Sequence, residues 1–346
     1  VPTCNTTITA LEDNNLGSKI IITTRRRDVA GLVHHTYQIK PLLPHSSKEL
    51  FYGRIFGSQD QCPESISELS DKILNKCGGV PLAIITIASL LATKSDDIAE
   101  WQTVCNSIGS GLSSSNNMYI EMRKILLLSY YDLSPHLKTC FIYLSMYPED
   151  YEIKRDRLIW RWISEGFIQH QNNDDDLFEL GKSYFSDLIN RSLVQPVVHP
   201  GKRDSKNEID ACRVHDMILD LICSLSKEEN FVTTSDDIEK MMPSKRKKKV
   251  RRLPLKKSTW PKKGVSQFDS LRSFSCFDVL RILDLEGCSL EGCQNSVLFV
   301  GNLIHLRYVG LSGTGLKQVP RGIEKLCSLE VFKMSGGIEL PLPSFG

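Results

Sequence analysis

The sequence predicts a multidomain chain of mixed class: an α/β segment, an α-helical domain, a winged-helix domain (α with a β-hairpin) and the start of a leucine-rich-repeat solenoid. Three observations predict it. A β-branched apolar run bounded by Gly-Ser, GSKIIITTR, reads as a buried strand near the N-terminus. Three helical stretches followed by two short extended runs occupy the middle of the chain, which is the element order of a winged helix. Near the C-terminus the pattern L-x-x-L-x-L-x-x-N/C-x-L recurs at repeat spacing.

The totals narrow the class. A chain of 346 residues can bury two or three cores. A formal net charge of +2 gives no general affinity for nucleic acid, so a basic surface must be local. The 11 cysteines are scattered, and no C-x-x-C occurs. Cys212 stands near His215, but no second pair completes a zinc site, so the thiols read as reduced and no metal ligand is assigned. The longest apolar run, VPLAIITIASLLA (80–92), is too short to span a bilayer and reads as a core helix. The chain begins with Val1 and ends in LPLPSFG after a repeat has begun, so it reads as a fragment at both ends.

Each element follows from local pattern. Residues 1–45 carry the strand Lys19–Thr24 and a short helix opened by Asp28; a strand ending in Thr-Thr-Arg puts polar groups where open α/β sheets bind ligands. Residues 46–110 are helical: Ile66, Leu69, Ile73 and Cys77 share a face, Gly78-Gly79 permits a tight turn, and Pro81 starts the next helix. A third helix carries Trp101, Val104 and Ile108, and GSGLSSSNN (109–117) reads as a flexible linker.

Over 118–235, Ser134-Pro135 caps a helix and YPEDYEI is a turn. KRDRLIWRWISEG is a helix ended by Gly166, and DLFELGKSYFSDLIN is the third. SLVQPVV and EIDACRV form the hairpin, after which VHDMILDL opens another helix. There Asp216 suits a first turn, where its charge faces unpaired amides. Residues 236–249 are a basic linker, part of a run that includes KRKKKVRR (245–252); a solvated connection into the repeats is favoured over a nuclear-localisation signal. Residues 250–346 hold the repeats: Leu280-x-x-Leu283-x-Leu285-x-x-Cys288-x-Leu290, then Leu306 to Leu316 in the same pattern, then Leu329-x-x-Phe332-x-Met334. Leu271-x-x-Phe274-x-Cys276 also starts like a repeat but lies too near Leu280 for a full one, which marks an irregular join.

GSKIIITTR, GGVPLA, CFIYLSMYPEDYEIKRDRLIWRWISEGFI and VHDMILDL, in that order ahead of leucine-rich repeats, resemble the plant NB-ARC leucine-rich-repeat disease-resistance proteins, of the coiled-coil type common in cereals. The resemblance covers nearly the whole chain, and the stretch around LSMYPED is its most specific part. It implies that residues 1–45 are the C-terminal remnant of an α/β nucleotide-binding domain. It implies an intracellular immune receptor switched by ADP and ATP (with Mg), slow as an ATPase and with no catalytic residue assigned here. Arg25, after Thr24, matches the sensor arginine facing the terminal phosphate. Gly79, Val80, Pro81 and Leu82 match the loop beside base and ribose, with Val in place of Leu. His215 matches the histidine that contacts the β-phosphate of ADP, with Val214 in place of Met, and Asp216 would cap the next helix. Implied partners are a pathogen effector or a guarded host protein, through the repeats, and further copies of the receptor on activation. The implied location is the cytoplasm, with nuclear entry left open.

Two departures qualify the resemblance. There is no G-x-x-x-x-G-K-[ST], and Gly181-Lys182-Ser183 has Asp176 in place of the first glycine and lies within a helix. Nor does an apolar strand ending in Asp-Asp occur to hold Mg, so this stretch alone is expected to bind little or no ATP. A truncated regulatory or decoy scaffold is therefore the alternative reading. A winged-helix DNA-binding protein is disfavoured, because Asp176, Glu179 and Asp187 offset Lys182 and Arg191 on the third helix.

Overall fold

The computed structural model describes residues 23–24, 30–31, 35–57, 63–94, 97–109, 112, 118–169, 176–198, 209–232, 280–286, 300–301, 303–316, 318–320, 322–334 and 340–341. The chain divides into two compact units, Val1–Leu43 and Pro44–Gly346. In the smaller unit Thr23 and Thr24 are irregular and exposed; the rest of the expected strand, and Arg25, lie outside the described residues. So do the basic run 245–252 and the irregular join at 271–279.

The larger unit opens with helices α1 (Pro44–Phe56), α2 (Glu64–Cys77), α3 (Pro81–Ala92) and α4 (Ile98–Ser107). The apolar stripe on α2 is buried from Ile66 to Cys77, and α3 is buried on most sides. Phe51 of α1 meets Trp101 of α4 edge to face, with ring centroids 6.1 Å apart. Both side chains are buried and anchor this core. Gly78 and Gly79 take φ of 58° and 70°, a turn that L side chains resist, and so let α2 end and α3 begin within three residues. The stretch read as a flexible linker is pinned at one point. Leu112 is buried, and its amide donates to the Lys76 carbonyl at 2.7 Å.

The winged-helix region contains α5 (Met118–Tyr131), α6 (Pro135–Tyr143), a 3₁₀ turn (Leu144–Met146), β1 (Ile153–Lys154), α7 (Arg155–Glu165), α8 (Leu177–Asn190), β2 (Gln195–Pro196), β3 (Ala211–Arg213) and α9 (Asp216–Glu228). Ser134 caps α6 as expected. The hairpin β2–β3 is antiparallel, with Pro196 opposite Cys212. β1 pairs on the other side of β3, giving the order β1-β3-β2. β1 joins the last residue read as a turn to the first read as helix: a two-residue strand is too short to show alternation. Gly166 ends α7 in the left-handed region, with its amide on the Ile163 carbonyl and the Phe167 amide on that of Trp162. Asn230 ends α9 in the same way, and the residues after the two turns, Phe167 and Phe231, pack ring to ring at 5.9 Å.

Gly181 belongs to helix packing, not to phosphate binding. It is buried in mid-α8, and Lys182 beside it pairs with Glu179 at 2.7 Å.

The repeats supply β4 (Ile282–Asp284), β5 (Tyr308–Gly310), β6 (Val331–Lys333) and β7 (Leu340–Pro341). β4, β5 and β6 are parallel in register, with Leu283, Val309 and Phe332 level; β7 joins β6 antiparallel. The leucines of the pattern form the interior: Leu280, Leu283, Leu285, Leu306 and Leu311 are buried. Thr314 fills the Asn/Cys slot of the second repeat, buried, with its hydroxyl donating to the Leu311 carbonyl at 2.6 Å. Gly301 and Gly322 let the turns of neighbouring repeats touch backbone to backbone, since a Cβ on Gly301 would lie 2.7 Å from Gly322 Cα.

A Cβ on Gly181 would fall 2.4 Å from Ile159 Cγ2 and 3.0 Å from Ile168 Cδ1. Gly181→Ala should therefore destabilise the winged-helix region by about 1–3 kcal/mol. Chemical denaturation checks this, and a change below about 0.5 kcal/mol, within ordinary surface-substitution scatter, would contradict the packing described.

Candidate functional site

Two places in the larger unit bring ionisable side chains to a joint between elements. The first is the entry to α9. β3 ends at Arg213, Val214 is buried, and His215 is extended (φ −63°, ψ 141°), so the helix starts at Asp216. The N-cap is thus His215; Asp216 lies in the first turn and faces its amides, as read from the sequence, but is not itself the cap. His215 Nδ1 accepts from the Met217 amide at 3.2 Å, and Asp216 Oδ1, one residue into the helix, accepts from the same amide at 2.7 Å. Nδ1 and Asp216 Oδ1 lie 2.6 Å apart, so Nδ1 is the engaged ring nitrogen. The ring is about a third exposed, at 35%.

The loop Gly79-Val80-Pro81-Leu82 lies at the entry to α3, where Val80 holds the N-cap position without a side-chain hydrogen bond. α3 and α9 both pack on α5, which is their common scaffold. Gly79–Leu82 and His215–Asp216 stand at the starts of helices that share α5 as a scaffold; Thr24 lies in the smaller unit, and Arg25 lies outside the described residues.

The second place is the seam between α7 and the repeat sheet. Arg157, Arg161 and Glu165 are spaced by four residues and so share a face of α7. Both arginines converge on one carboxylate oxygen, Asp284 Oδ2: Arg157 through Nε at 3.0 Å and Nη2 at 2.6 Å, and Arg161 through Nη2. Arg157 also reaches Glu286 at 2.9 Å. Arg161 donates to the Tyr147 hydroxyl at 2.8 Å and lies over the rings of Tyr147 and Tyr308, 5.2 and 5.8 Å from their centroids. At the other end of α7, Arg281 Nη1 donates to the Glu165 carbonyl at 2.9 Å, placing a cation on the negative end of the helix. Burial pushes the Asp284 carboxyl up, but the Arg161 and Arg157 guanidinia outweigh it and hold the group down to about 2. Burial pushes the Tyr308 hydroxyl well above its ordinary value, with the Asp284 charge adding to the shift.

The two sides of this seam fall in regions with recognisable relatives. Residues 146–222 match the disease resistance protein winged helix domain, and residues 264–345 match a leucine-rich repeat region. The chain is 32% identical over 352 aligned residues to the disease resistance protein RGA5 of Oryza sativa subsp. japonica, covering 95% of this chain and 31% of that protein. The chain belongs to the disease-resistance protein family. Further relatives in that family are the disease resistance protein RPP13 of Arabidopsis thaliana (32% identical; 89% of this chain, 37% of the relative) and the putative RPP13-like protein 3 of the same plant (30%; 94% and 40%). The chain thus spans between 31% and 40% of the length of these disease-resistance proteins.

Within the family framework, α8 presents Glu179 paired to Lys182 on its outer face, not a row of cations suited to a DNA groove. Among the described residues no cluster of His, Cys, Asp and Glu could hold a metal ion, and no helix is long and apolar enough to cross a membrane. Sequence reading missed the seam. The signal was present in RDRLIWRWISEG, where three charges recur at helical spacing beside a face of Leu158, Ile159 and Trp162.

The Asp284 carboxyl has a sign-definite consequence. Its folded value lies below the ordinary 3.8, so its contribution is fully present above about pH 4 and lost as pH falls through about 2. That loss should weaken the seam by roughly 2 kcal/mol at the acid end. Acid titration of stability checks it: Asp284→Asn should remove the component between pH 4 and 2, and an unchanged acid limb would contradict it.

Proposed function

We propose that this chain is the switch-bearing segment of an intracellular plant immune receptor, in which the winged-helix region moves between an ADP-bound resting arrangement and an ATP-bound signalling one. The observation that carries the reading is the joint at His215. It places a part-exposed imidazole, engaged through Nδ1, at the start of a helix, in a winged helix matched to disease-resistance proteins.

The residues present suit a nucleotide in part. His215 Nε2 would meet a phosphate oxygen, Arg25 beside Thr24 would read the terminal phosphate, and Gly79, Val80, Pro81 and Leu82 would line the base and ribose. The nucleotide supplies a difference of one phosphate, with Mg accompanying ATP. A guanidinium or imidazole senses that difference as charge and geometry. The part of His215 is to tie the winged helix to the resting state; the part of Asp216 is to hold His215 and the helix start in place. The repeats would meet a pathogen effector or a guarded host protein, and activated copies would associate with one another. The site of action is the cytoplasm, with the basic run 245–252 available for nuclear entry.

Turning a 1:99 population into 99:1 takes a differential of about 5.5 kcal/mol. One charge-assisted contact from His215 accounts for roughly 1.5–3 kcal/mol of that. In the complete receptor, His215→Ala or Asp216→Val should therefore give signalling without pathogen when expressed in leaf tissue at wild-type protein level. Silent variants at that level would overturn the assigned roles. For the 346-residue chain alone, calorimetry with ADP and ATP should detect no micromolar binding.

A further inference from the structure

We infer that Arg213 is a second phosphate-binding cation beside His215, with Glu152 as the acid that competes with the nucleotide for it. Arg213 takes this part only if His215 meets the nucleotide, as proposed above; what is added is the cation and its competitor.

Arg213 closes β3, and strand alternation sets its direction. Ile153 stands opposite Cys212 in the β1–β3 register, and both are buried; Glu152 is therefore level with Arg213 on the other face. Val214 is buried next, and His215 is part-exposed in extended backbone, so Arg213 and His215 project to one side of the chain. Two steps of extended chain separate their Cα atoms by about 6.6 Å, a spacing at which long side chains meet on a single anion.

A cross-strand partner for Glu152 is the simpler role for Arg213. The geometry argues against it. Glu152 takes its close contact from Lys154, Oε1 to Nζ at 2.5 Å, whereas Arg213 Nη2 stands 4.0 Å from Oε2, too far for a hydrogen bond. Among the described residues the Arg213 guanidinium donates no hydrogen bond, and its side chain is 50% exposed. Moving it off Glu152 leaves no buried group unpaired: the acid keeps Lys154, and the guanidinium is already in water.

Charge gives the cation its purpose. Asp216 puts a carboxylate 2.6 Å from His215 Nδ1, and Glu152, just before β1, adds another on the adjoining strand. A phosphate meeting His215 is opposed by that negative charge. Arg213 offsets the repulsion from the same side of the chain, and a guanidinium can pair two phosphate oxygens at once. Glu152 and the phosphate then compete for one cation.

The test is ADP affinity of the purified complete receptor as wild type, Arg213→Gln, Glu152→Gln, the two together, and His215→Ala, each at low and high salt. Arg213→Gln should weaken ADP binding about threefold to tenfold and make it less sensitive to salt, since an exposed charge contact has gone. Glu152→Gln should tighten it about twofold or more, because the competitor is lost, and the double variant should match Arg213→Gln. A merely structural Arg213 would not let the loss of its partner acid tighten the ligand. Wild-type affinity in Arg213→Gln, with weaker binding in His215→Ala, would overturn the role of Arg213 and leave the nucleotide reading standing. Wild-type affinity in His215→Ala would overturn both. If Arg213→Gln does not fold, Glu152→Gln decides: tighter ADP binding supports the role, and unchanged or weaker binding overturns it.

Discussion

Two guanidinium groups packed side by side repel each other, and the larger unit offsets that repulsion with carboxylates, of which Asp284 is the one that both arginines share. Arg157 and Arg161 stand one turn apart on α7, and their mutual repulsion opposes burial of that helix face. Asp284 removes the repulsion only where the first described repeat strand delivers it, more than a hundred residues later in the chain. Much else follows from that placement. Gly310 has to lack a side chain, Tyr308 is buried with its ring near the Arg161 guanidinium, and the C-terminal end of α7 comes to face Arg281.

The winged-helix region has a second seam of another kind. Toward the preceding helices, Arg54 donates to Ser89 Oγ at 2.9 Å and to the Asn190 carbonyl, and Ser89 shares a hydrogen bond of 2.8 Å with Ser192. Asp132 is held between Lys94 and Arg191, at 2.6 Å from each; burial raises its carboxyl, but the two cations bring it below the ordinary value. Ser89 is fully buried, whereas Lys94, Asp132 and Arg191 are part-exposed, so water can replace the partners of that ion cluster at small cost. The seam to the repeats offers water no such exchange. The winged-helix region is also packed on the preceding helices through α5, which meets α3.

What could be read from the sequence was what depends on near neighbours. The buried leucines of the repeats, the Ser134 cap, the end of α7 at Gly166 and the helical nature of Gly181-Lys182-Ser183 all follow from periodicity or local backbone preference. What escaped depends on distant partners or on one-residue boundaries. β1 has only two residues and exists because β3 pairs with it. Asp216 has the better N-cap side chain, yet the chain stays extended one residue beyond Val214 and gives that position to His215. Leu112 sits among serines and glycines and is buried because the end of α2 has a carbonyl to receive its amide. Asp284 fills a slot between two pattern leucines where any polar residue fits the repeat, so its role became visible only with α7 against it.

The coupling between Arg161 and Asp284 tests this account most directly. A double-mutant cycle on the 346-residue chain, using Arg161→Met, Asp284→Asn and the pair, measures it by equilibrium unfolding at neutral pH. The account predicts a coupling of about 1.5 kcal/mol or more, with Asp284→Asn the costlier single change because it takes a shared acid from two cations. Additive effects, within about 0.5 kcal/mol, would contradict it and reduce the seam to a contact that the fold does not depend on.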